Sequence, residues 1–303
     1  MEHFSDFLDG TKFFGAVGME NIQRVPWKGE GRREKLTAYH VLWTRPFEVI
    51  HSSGTYSMAE FELATARLSA AAWRKYNGPI YLITDSKGAE YMSSQKMDEH
   101  YDGILPLLDD CNYGVYPKKY WAAGKIQALE LIEAPCVLLD MDMIVWRPIE
   151  VKGKDVIVTH DEDFHGMVYP DFSYFNMKEE YQFPNQWSKH ARPLNTSFVY
   201  LRDNEFKKRY VTEAVRFMRN EKNTPDTGMQ CMVFAEQRIL GMCAEAEGLL
   251  VKMLLDYRNL MEKQDLLTHL WSGKHYLRRN ERLQREYIQI CDEKRKKLEE
   301  ASL

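Results

Sequence analysis

The residues whose types and spacing could do chemistry are two aspartates, Asp140 and Asp142, within an apolar run. Residues 136–149 read C-V-L-L-D-M-D-M-I-V-W-R-P-I, so apolar sequence resumes directly after the second acid and stops at Pro148. Such a run is typical of a strand covered on both faces. Two carboxylates inside it are costly unless a partner compensates their charge, and a divalent cation is the usual partner. We therefore predict a metal site; the alternative is an exposed turn at a strand end.

The elements that must position these acids alternate between strands and helices. Short apolar runs predict strands at residues 37–43, 80–84, 104–108, 136–139, 155–160 and 195–201. Apolar periodicity predicts helices at residues 58–76, 88–97, 120–132, 205–220 and 230–240, with Ser57 and Glu60 forming a capping box for the first. This alternation predicts an α/β fold with a mainly parallel central sheet flanked by helices. Asp85, Asp140 and His160 fall at predicted strand ends, where ligands of such sheets bind.

The bulk composition excludes several classes of protein. The 303 residues carry a formal net charge of −4, which argues against a general nucleic-acid binder. The five cysteines are widely spaced and form no C-x-x-C pair, so neither a zinc cage nor a disulfide framework is indicated. No apolar stretch approaches the roughly 20 residues of a membrane span, and the first residues lack a signal-peptide pattern. We expect a cytoplasmic protein on these grounds.

The segment around the two aspartates resembles the centre of GT-A-fold glycosyltransferases. Those enzymes commonly show a helix bearing a lysine, then an apolar run into D-x-D, then further apolar residues and a proline. The sequence A-A-G-K-I-Q-A-L-E-L-I-E-A-P-C-V-L-L-D-M-D-M-I-V-W-R-P-I follows that order, with Lys125 in the predicted helix. A late segment, H-L-W-S-G-K-H, is similar to the H-x-x-G-x-x-K segment of glycosyltransferase family 8, although Lys274 here directly follows Gly273.

Two shorter stretches are similar to the same family. The run N-T-S-F-V-Y-L resembles its N-x-G strand, with Ser197 where a glycine often stands. The run A-E-Q-R-I-L resembles its D-Q-D-x-L segment, with Glu236 and Gln237 aligned to D-Q. The likeness extends from about residue 37 to residue 274.

This resemblance implies a function and a set of roles. The protein would be a hexosyltransferase-like glycosyltransferase that moves a sugar from a nucleotide-sugar donor, such as a UDP-sugar, to a saccharide or lipid-linked acceptor with retention. The implied ligands of the metal are Asp140, Asp142 and His269, and the implied contacts to the donor are Asp85, Lys125, Asp140 and Lys274. Glu236 and Gln237 would contact the donor sugar at the catalytic centre. Neutral imidazole suits Mn²⁺ better than Mg²⁺, so Mn²⁺ is the favoured ion.

Each assignment has a structural alternative. His269 could be a satisfied core histidine, Lys125 and Lys274 could be solvated, and Asp85 could cap the next helix. Glu236 and Gln237 could be surface groups of a helix. The acids Asp161, Glu162 and Asp163 could bind acceptor hydroxyls or form a solvated turn. The aromatic residues between positions 169 and 187 could line the acceptor cleft.

Two other functional classes stay open. A metal-dependent nucleotidyltransferase also pairs carboxylates on an α/β half, although it usually shows a Gly-rich phosphate loop near its first strand, and H-S-S-G-T is a poor version of one. The third class is a non-catalytic carbohydrate-binding protein with a GT-A fold. Titrating Mn²⁺ with UDP separates it from the enzymes.

We expect one catalytic domain. It covers residues 37–276, with a nucleotide-binding half at about 37–150 and an acceptor half at about 151–276. Residues 1–36 would form an N-terminal extension, and residues 277–303 a charged C-terminal helix. That helix carries interspersed basic and acidic residues, which favours a solvated helix over a peripheral membrane contact. The oligomeric state is not indicated.

Overall fold

A seven-stranded sheet forms the centre of the protein. The computed structural model describes residues 35–51, 54–111, 113–164, 167–222, 224, 229–256, 266–271 and 273–300. The sheet strands are β1 (Ala38–Leu42), β2 (Ile80–Thr84), β3 (Ile104–Pro106), β4 (Cys136–Leu139), β6 (Val156–Val158), β7 (Phe198–Leu201) and β8 (Val251–Met253). Two further strands, β5 (Met143–Val145) and β9 (Leu267–His269), pair with each other outside the sheet.

The strand order of the sheet is β3-β2-β1-β4-β7-β6-β8. The first four strands are parallel, as are β6 and β8, whereas β7 runs antiparallel to both its neighbours. Every residue of β4, β6 and β7 is buried, as expected of strands covered on both faces. The predicted α/β class with a mainly parallel central sheet is confirmed. Because β7 lies beside β4, one sheet joins the two predicted halves of the domain.

Helices cover both faces of the sheet. They are α1 (Arg45–Ile50), α2 (Glu60–Tyr76), α3 (Ser86–Ser94), α4 (Ala123–Leu131), α5 (Asn204–Asn220), α6 (Gln230–Val233), α7 (Ile239–Ala246), α8 (Gly273–Leu277) and α9 (Glu281–Glu300). Short 3₁₀ turns lie at Met97–Glu99 and Phe172–Tyr174, and a π-helical turn, Phe234–Arg238, joins α6 to α7. Helices α4, α5 and α7 share one apolar cluster with β4, β6 and β7. Helix α2 packs against β5 and α9 in a second cluster.

The C-terminal helix α9 packs along α2. Its buried residues Leu283, Tyr287 and Cys291 lie about one helical turn apart, and the Tyr287 hydroxyl lies 2.9 Å from Thr65 Oγ1 of α2. One face of this charged helix is therefore core, and only the other is solvated. Among the described residues, no helix is both long and apolar enough to cross a bilayer. The N-terminal extension lies outside the described residues, apart from its last two.

One local prediction is wrong, and a second holds for only part of its segment. The N-cap of α2 is Ala59, not Ser57, and Glu62 closes the helix end by accepting a hydrogen bond from the Ala59 amide at 3.0 Å. Part of the aromatic segment predicted as an acceptor wall packs inward. Tyr169, Phe175, Tyr181 and Trp187 are buried, and Phe175 and Tyr181 pack against Phe217. The other aromatic residues of the segment are half-buried: Phe172, Tyr174 and Phe183. Burying large aromatic area stabilises the irregular segment that carries them, which otherwise has little secondary structure.

A buried polar network ties β1 to the strand that follows the two aspartates. His40 is fully buried, and its Nδ1 lies 2.7 Å from the Tyr101 hydroxyl and its Nε2 3.1 Å from Ser69 Oγ. Ser69 in turn donates to the Met143 carbonyl at 2.5 Å. Burial lowers the pKa of His40 to about 3, from an ordinary value of 6.5. The histidine is therefore neutral in the folded protein at neutral pH.

This network predicts acid-sensitive stability. Between pH 6.5 and 3 the unfolded chain binds a proton at His40 that the folded chain does not, so stability falls as the pH falls. Since a tenfold change in proton affinity corresponds to about 1.4 kcal/mol, His40 contributes up to roughly 5 kcal/mol to that loss. We expect His40→Gln to be less stable at pH 7.5 but to lose less free energy of unfolding between pH 6.5 and 4, measured by urea denaturation.

The matched control is the same substitution at His190, which is exposed. His190→Gln should keep the wild-type difference between the two pH values, because that side chain is solvated in both states. An unchanged pH dependence in His40→Gln would contradict the assignment of the proton to His40.

Candidate metal centre and its surroundings

The two aspartates lie in a tight turn between two buried strands. Asp140 directly follows β4, and its amide donates to the Ser197 carbonyl at 2.8 Å, just before β7. The Met143 amide closes the turn by donating to the Asp140 carbonyl at 2.9 Å. The apolar run around D-x-D is therefore two strands, β4 and β5, that belong to different sheets. The turn places both acids at the carboxyl edge of the central sheet.

Strand pairing brings His269 to this turn from far along the chain. Strand β9 runs antiparallel to β5, with His269 opposite Met143. The ribbon continues for one more hydrogen bond, from the Leu270 amide to the Asp142 carbonyl at 3.0 Å. His269 Nε2 lies 3.5 Å from Asp142 Oδ2 as a result. His269 is not a buried core histidine, the alternative considered above, since its side chain is only partly buried.

One ligand atom from each of Asp140, Asp142 and His269 lies within 4.8 Å of the other two. No other group of three such side chains converges this closely in the part of the chain that the structure describes. Carboxylate oxygens and an imidazole nitrogen form a donor set that suits Mn²⁺. The three side chains are thus placed to hold one divalent cation.

Two lysines compensate the acids. Lys274 Nζ lies 2.8 Å from Asp142 Oδ2, and Lys125 Nζ lies 2.9 Å from Asp140 Oδ1. Burial alone would raise the pKa of Asp142, but His269 and Lys274 outweigh it and hold that pKa well below its usual range. Asp142 is therefore anionic at neutral pH. The lysines contact one oxygen of each carboxylate.

Lys125 also joins the metal centre to Glu236. Its ammonium lies 2.5 Å from Glu236 Oε1 and donates to the Thr196 carbonyl at 3.2 Å. Burial acts to lower the pKa of Lys125, yet Asp140 and Glu236 together raise it above its ordinary value. Thr196 Oγ1 donates to the same Glu236 oxygen at 2.7 Å. Lys125 is therefore a charged bridge rather than a solvated helix lysine.

Glu236 and Gln237 lie in the π-helical turn Phe234–Arg238, not in a regular helix. Such turns are rare in proteins overall, and those that occur are often found at functional sites. Tyr210 stabilises the turn by donating from its hydroxyl to the Glu236 carbonyl at 2.6 Å. The Tyr169 hydroxyl donates to Gln237 Oε1, also at 2.6 Å. Both side chains are held by polar contacts and are not surface groups of a helix.

Asp85 performs the capping role. It is the N-cap of α3, and it accepts hydrogen bonds from the Gly88 amide at 2.8 Å and from the Thr44 amide at 2.8 Å. A Cβ on Gly88 would lie 3.0 Å from Asp85 Oδ1 and closer still to Thr84, so glycine permits this close approach. The contact of Asp85 to a nucleotide stays a prediction.

The acidic turn after β6 is held by ion pairs. Arg192 contacts Asp161 at 2.9 Å and Asp163 at 2.5 Å, and Asn195 donates to Glu162 at 3.0 Å. His160 is buried, and its Nδ1 lies 3.0 Å from the Asp161 carbonyl and 3.7 Å from Glu162. This turn is a structural corner, and the structure does not bring it into the Asp140–Asp142–His269 cluster.

Three residues near this centre could not be identified from the sequence. Thr196 follows an asparagine in an ordinary strand pattern, and Tyr169 was one of many aromatic residues in its segment. Arg238 lies next to Gln237 and is buried. No local pattern distinguishes these residues, because their contacts come from segments distant in the chain.

The charged bridge predicts a large loss of stability when Lys125 is removed. Lys125→Met leaves Asp140 and Glu236 without their shared cation, so we expect the free energy of unfolding to fall by about 3 kcal/mol in metal-free buffer. The matched control is Lys87→Met, which removes the exposed Lys87–Glu48 pair and should cost less than about 1 kcal/mol. Equal losses in the two variants, measured by chemical denaturation, would contradict the bridging role.

The convergence of three ligands predicts binding of Mn²⁺ that depends on Asp142. Asp142→Asn removes one anionic ligand, so we expect the Kd for Mn²⁺ to rise by at least about tenfold in calorimetric titration. Asp163→Asn is the matched control, because Asp163 pairs with Arg192 outside the cluster. Wild-type affinity in Asp142→Asn would rule out Asp142 as a ligand.

Comparison with known proteins gives distant structural likenesses and one family match. A search of curated proteins finds no match to the sequence. The galactosyltransferase LgtC, solved with donor and acceptor sugar analogues, is 8% identical with a TM-score of 0.35, covering 66% of this chain and 70% of that chain. The 4-diphosphocytidyl-2C-methyl-D-erythritol synthase of Anaerococcus prevotii is 10% identical with a TM-score of 0.32, covering 76% and 92%.

These likenesses are too weak to assign a function. The profile of a family of unknown function, DUF6734, matches residues 37–300. That range contains the central sheet, the metal centre and α9, and it spans most of the chain. The protein therefore belongs to the DUF6734 family.

Proposed function

We propose that this protein is a metal-dependent glycosyltransferase that moves a sugar from a nucleotide-sugar donor to a saccharide or lipid-linked acceptor. The observation that carries the proposal is the convergence of Asp140, Asp142 and His269 within 4.8 Å. The centre lies at the carboxyl edge of a mainly parallel sheet, where ligands of α/β proteins bind. The order of the motifs along the chain, described above, supports the same class of reaction.

The donor set fits a divalent cation, with Mn²⁺ preferred because of the imidazole. When bound, such an ion would offset negative charge on the leaving nucleoside diphosphate, which is Lewis-acid catalysis. Asp140 and Asp142 would hold it through carboxylate oxygens and His269 through Nε2. His269 lies at the end of β9, so the ribbon with β5 fixes its distance from Asp142.

The two lysines would have different parts in donor binding. Lys274 is one-third exposed and holds Asp142 at 2.8 Å, so it can exchange that carboxylate for a phosphate oxygen. Its charge then moves from the ligand to the substrate. Lys125 is less exposed and bridges two acids, so its part is to keep Asp140 and Glu236 in place beside the donor. Asp85, at the end of β2, would contact the nucleotide from the same edge.

Glu236 and Gln237 would contact the donor sugar. The Glu236 carboxylate is fixed by Lys125 and Thr196, and the Gln237 amide by Tyr169, so both are oriented before substrate binds. Preorganised polar groups of this kind stabilise charge that develops at the reacting centre. Transfer with retention follows the family resemblance, and we assign no covalent nucleophile.

A screen of nucleotide sugars tests the proposal. In the presence of Mn²⁺ we expect hydrolysis of at least one donor, which releases a nucleoside diphosphate and a free sugar. Asp142→Asn should lower that rate by at least about a hundredfold, because several kcal/mol of charge stabilisation depend on the ion. Asp163→Asn should retain the wild-type rate.

The products separate the competing reaction classes. Release of pyrophosphate from a nucleoside triphosphate in the presence of a sugar phosphate would identify a nucleotidyltransferase instead. Binding of sugars without Mn²⁺-dependent turnover of any donor would identify a carbohydrate-binding protein. Either result would overturn the glycosyltransferase proposal.

A further inference from the structure

Arg238 is the last residue of the π-helical turn that carries Glu236 and Gln237. Its side chain is 1% exposed, although arginine is seldom fully buried unless it is paired. The turn directs Glu236 to Lys125, whereas Arg238 contacts Phe164 and Lys189 in the segment between β6 and β7. Arg238 thus lies next to the proposed catalytic pair but contacts a different part of the protein.

The guanidinium of Arg238 is poorly satisfied. Nη2 donates to the Lys189 carbonyl at 2.7 Å. Nε and Nη1 are buried and have no hydrogen-bond partner. Within the described residues, no carboxylate lies within ion-pairing distance of this side chain, and the charge of Asp171 acts on it only from further away. Burial lowers the pKa of Arg238 to about 10, which still leaves it charged at neutral pH. An unpaired buried charge of this kind is costly, so its persistence calls for a ligand.

The free donors have the geometry of an anion site. Nη2 has two hydrogens, and the Lys189 carbonyl takes one of them. The second Nη2 hydrogen lies on the same edge of the planar guanidinium as the N–H of either Nε or Nη1, and neither of these nitrogens has a hydrogen-bond partner. One edge with two parallel donors is therefore available whichever hydrogen is used. Carboxylates and phosphates bind such an edge through two oxygens.

An aromatic ring lies against the guanidinium of Arg238. The Phe164 ring lies 4.2 Å from the guanidinium carbon, in a cation–π contact. Phe164 is 46% exposed, whereas Arg238 is buried. A rotation of the Phe164 side chain would give an anion access to the guanidinium. A cation–π contact satisfies none of the guanidinium hydrogen bonds, so an anion with two oxygens would be the better partner.

We propose that Arg238 binds an acidic group, a carboxylate or a phosphate, on the acceptor saccharide. The donor diphosphate is an unsuitable occupant, because the lysine proposed to bind it, Lys274, contacts Asp142 in the metal centre. The segment that contacts Arg238 belongs to the half, residues 151–276, that we expect to bind the acceptor. This inference rests on the proposed function, because only a glycosyltransferase has an acceptor saccharide. It adds that the acceptor is an acidic sugar.

The test is binding of three sugars in the absence of metal and nucleotide. Glucuronate, glucose 1-phosphate and glucose are titrated separately, in EDTA, and their Kd values are measured by ligand-observed NMR. We expect at least one acidic sugar to bind about tenfold more tightly than glucose. The glucuronate and phosphate arms show which acidic group the site takes.

Variants assign the preference to a residue. Arg238→Met is matched in length, and it should abolish the preference for the acidic sugar while leaving the Kd for glucose unchanged. Lys274→Gln removes a cation of the metal centre and should retain the preference. Arg238→Lys keeps the charge but loses the planar edge, so it should lose most of the preference, and it serves if the methionine variant does not fold.

The outcomes are separable. The proposal is overturned if no acidic sugar binds more tightly than glucose, if Arg238→Met keeps the preference, or if Lys274→Gln alone abolishes it. The thermal midpoint of Arg238→Met gives a second readout. It should not fall, because the variant removes an unpaired buried charge, whereas a stabilising role for Arg238 would lower it. Absence of donor hydrolysis would refute the proposed function but would leave this binding result standing.

Discussion

The pairing of β5 with β9 is the constraint on which the candidate site depends. Asp140 and Asp142 are fixed by local sequence, since they lie between two buried strands. His269 is not, and only the antiparallel register of a two-stranded ribbon places it beside Asp142. The ribbon is anchored on the core through Ile144, which packs with α2 and α9. Without that packing, the third ligand would be far from the other two.

Charge balance is the second constraint. Two carboxylates at the buried edge of a sheet need compensation, and the protein supplies it with Lys125 and Lys274. The two pairs differ in what they fix. Lys125 is held by Asp140, Glu236 and Thr196, which makes it part of the framework. Among the described residues, Lys274 pairs with one acid, Asp142, and it is more exposed than Lys125, which makes it able to exchange that partner. The two lysines thus offset the charge of the two acids, and exchange of Lys274 would free Asp142 for a cation.

The sequence predicts a feature of the fold correctly when neighbouring residues alone determine that feature. The strands β2 and β4 were predicted with correct bounds, because each is a continuous apolar run between breakers. The capping of α2 was predicted at the wrong residue, because Ser57 and Ala59 are both followed three positions later by a glutamate and only the tertiary structure chooses between them. The π-helical turn has no sequence signature, so Glu236 and Gln237 were placed on an ordinary helix.

The candidate site also combines residues that the sequence identifies with residues that only the tertiary structure reveals. The D-x-D pair could be identified from its apolar flanks, and His269 only through a family resemblance. Composition alone suggested that the aromatic segment lines a cleft, whereas packing against Phe217 and Phe234 buries part of it. The unpaired state of Arg238 is a property of its surroundings and could not be predicted from any neighbouring residue.

The most direct test of the central claim is a crystal structure grown with Mn²⁺ and UDP, with data collected at an X-ray energy where manganese scatters anomalously. We expect one strong anomalous peak bonded to Asp140, Asp142 and His269, with the UDP diphosphate on its open side and Lys274 moved from Asp142 to a phosphate oxygen. A manganese peak elsewhere, or UDP bound with the Lys274–Asp142 pair intact and no metal between the three side chains, would contradict the claim.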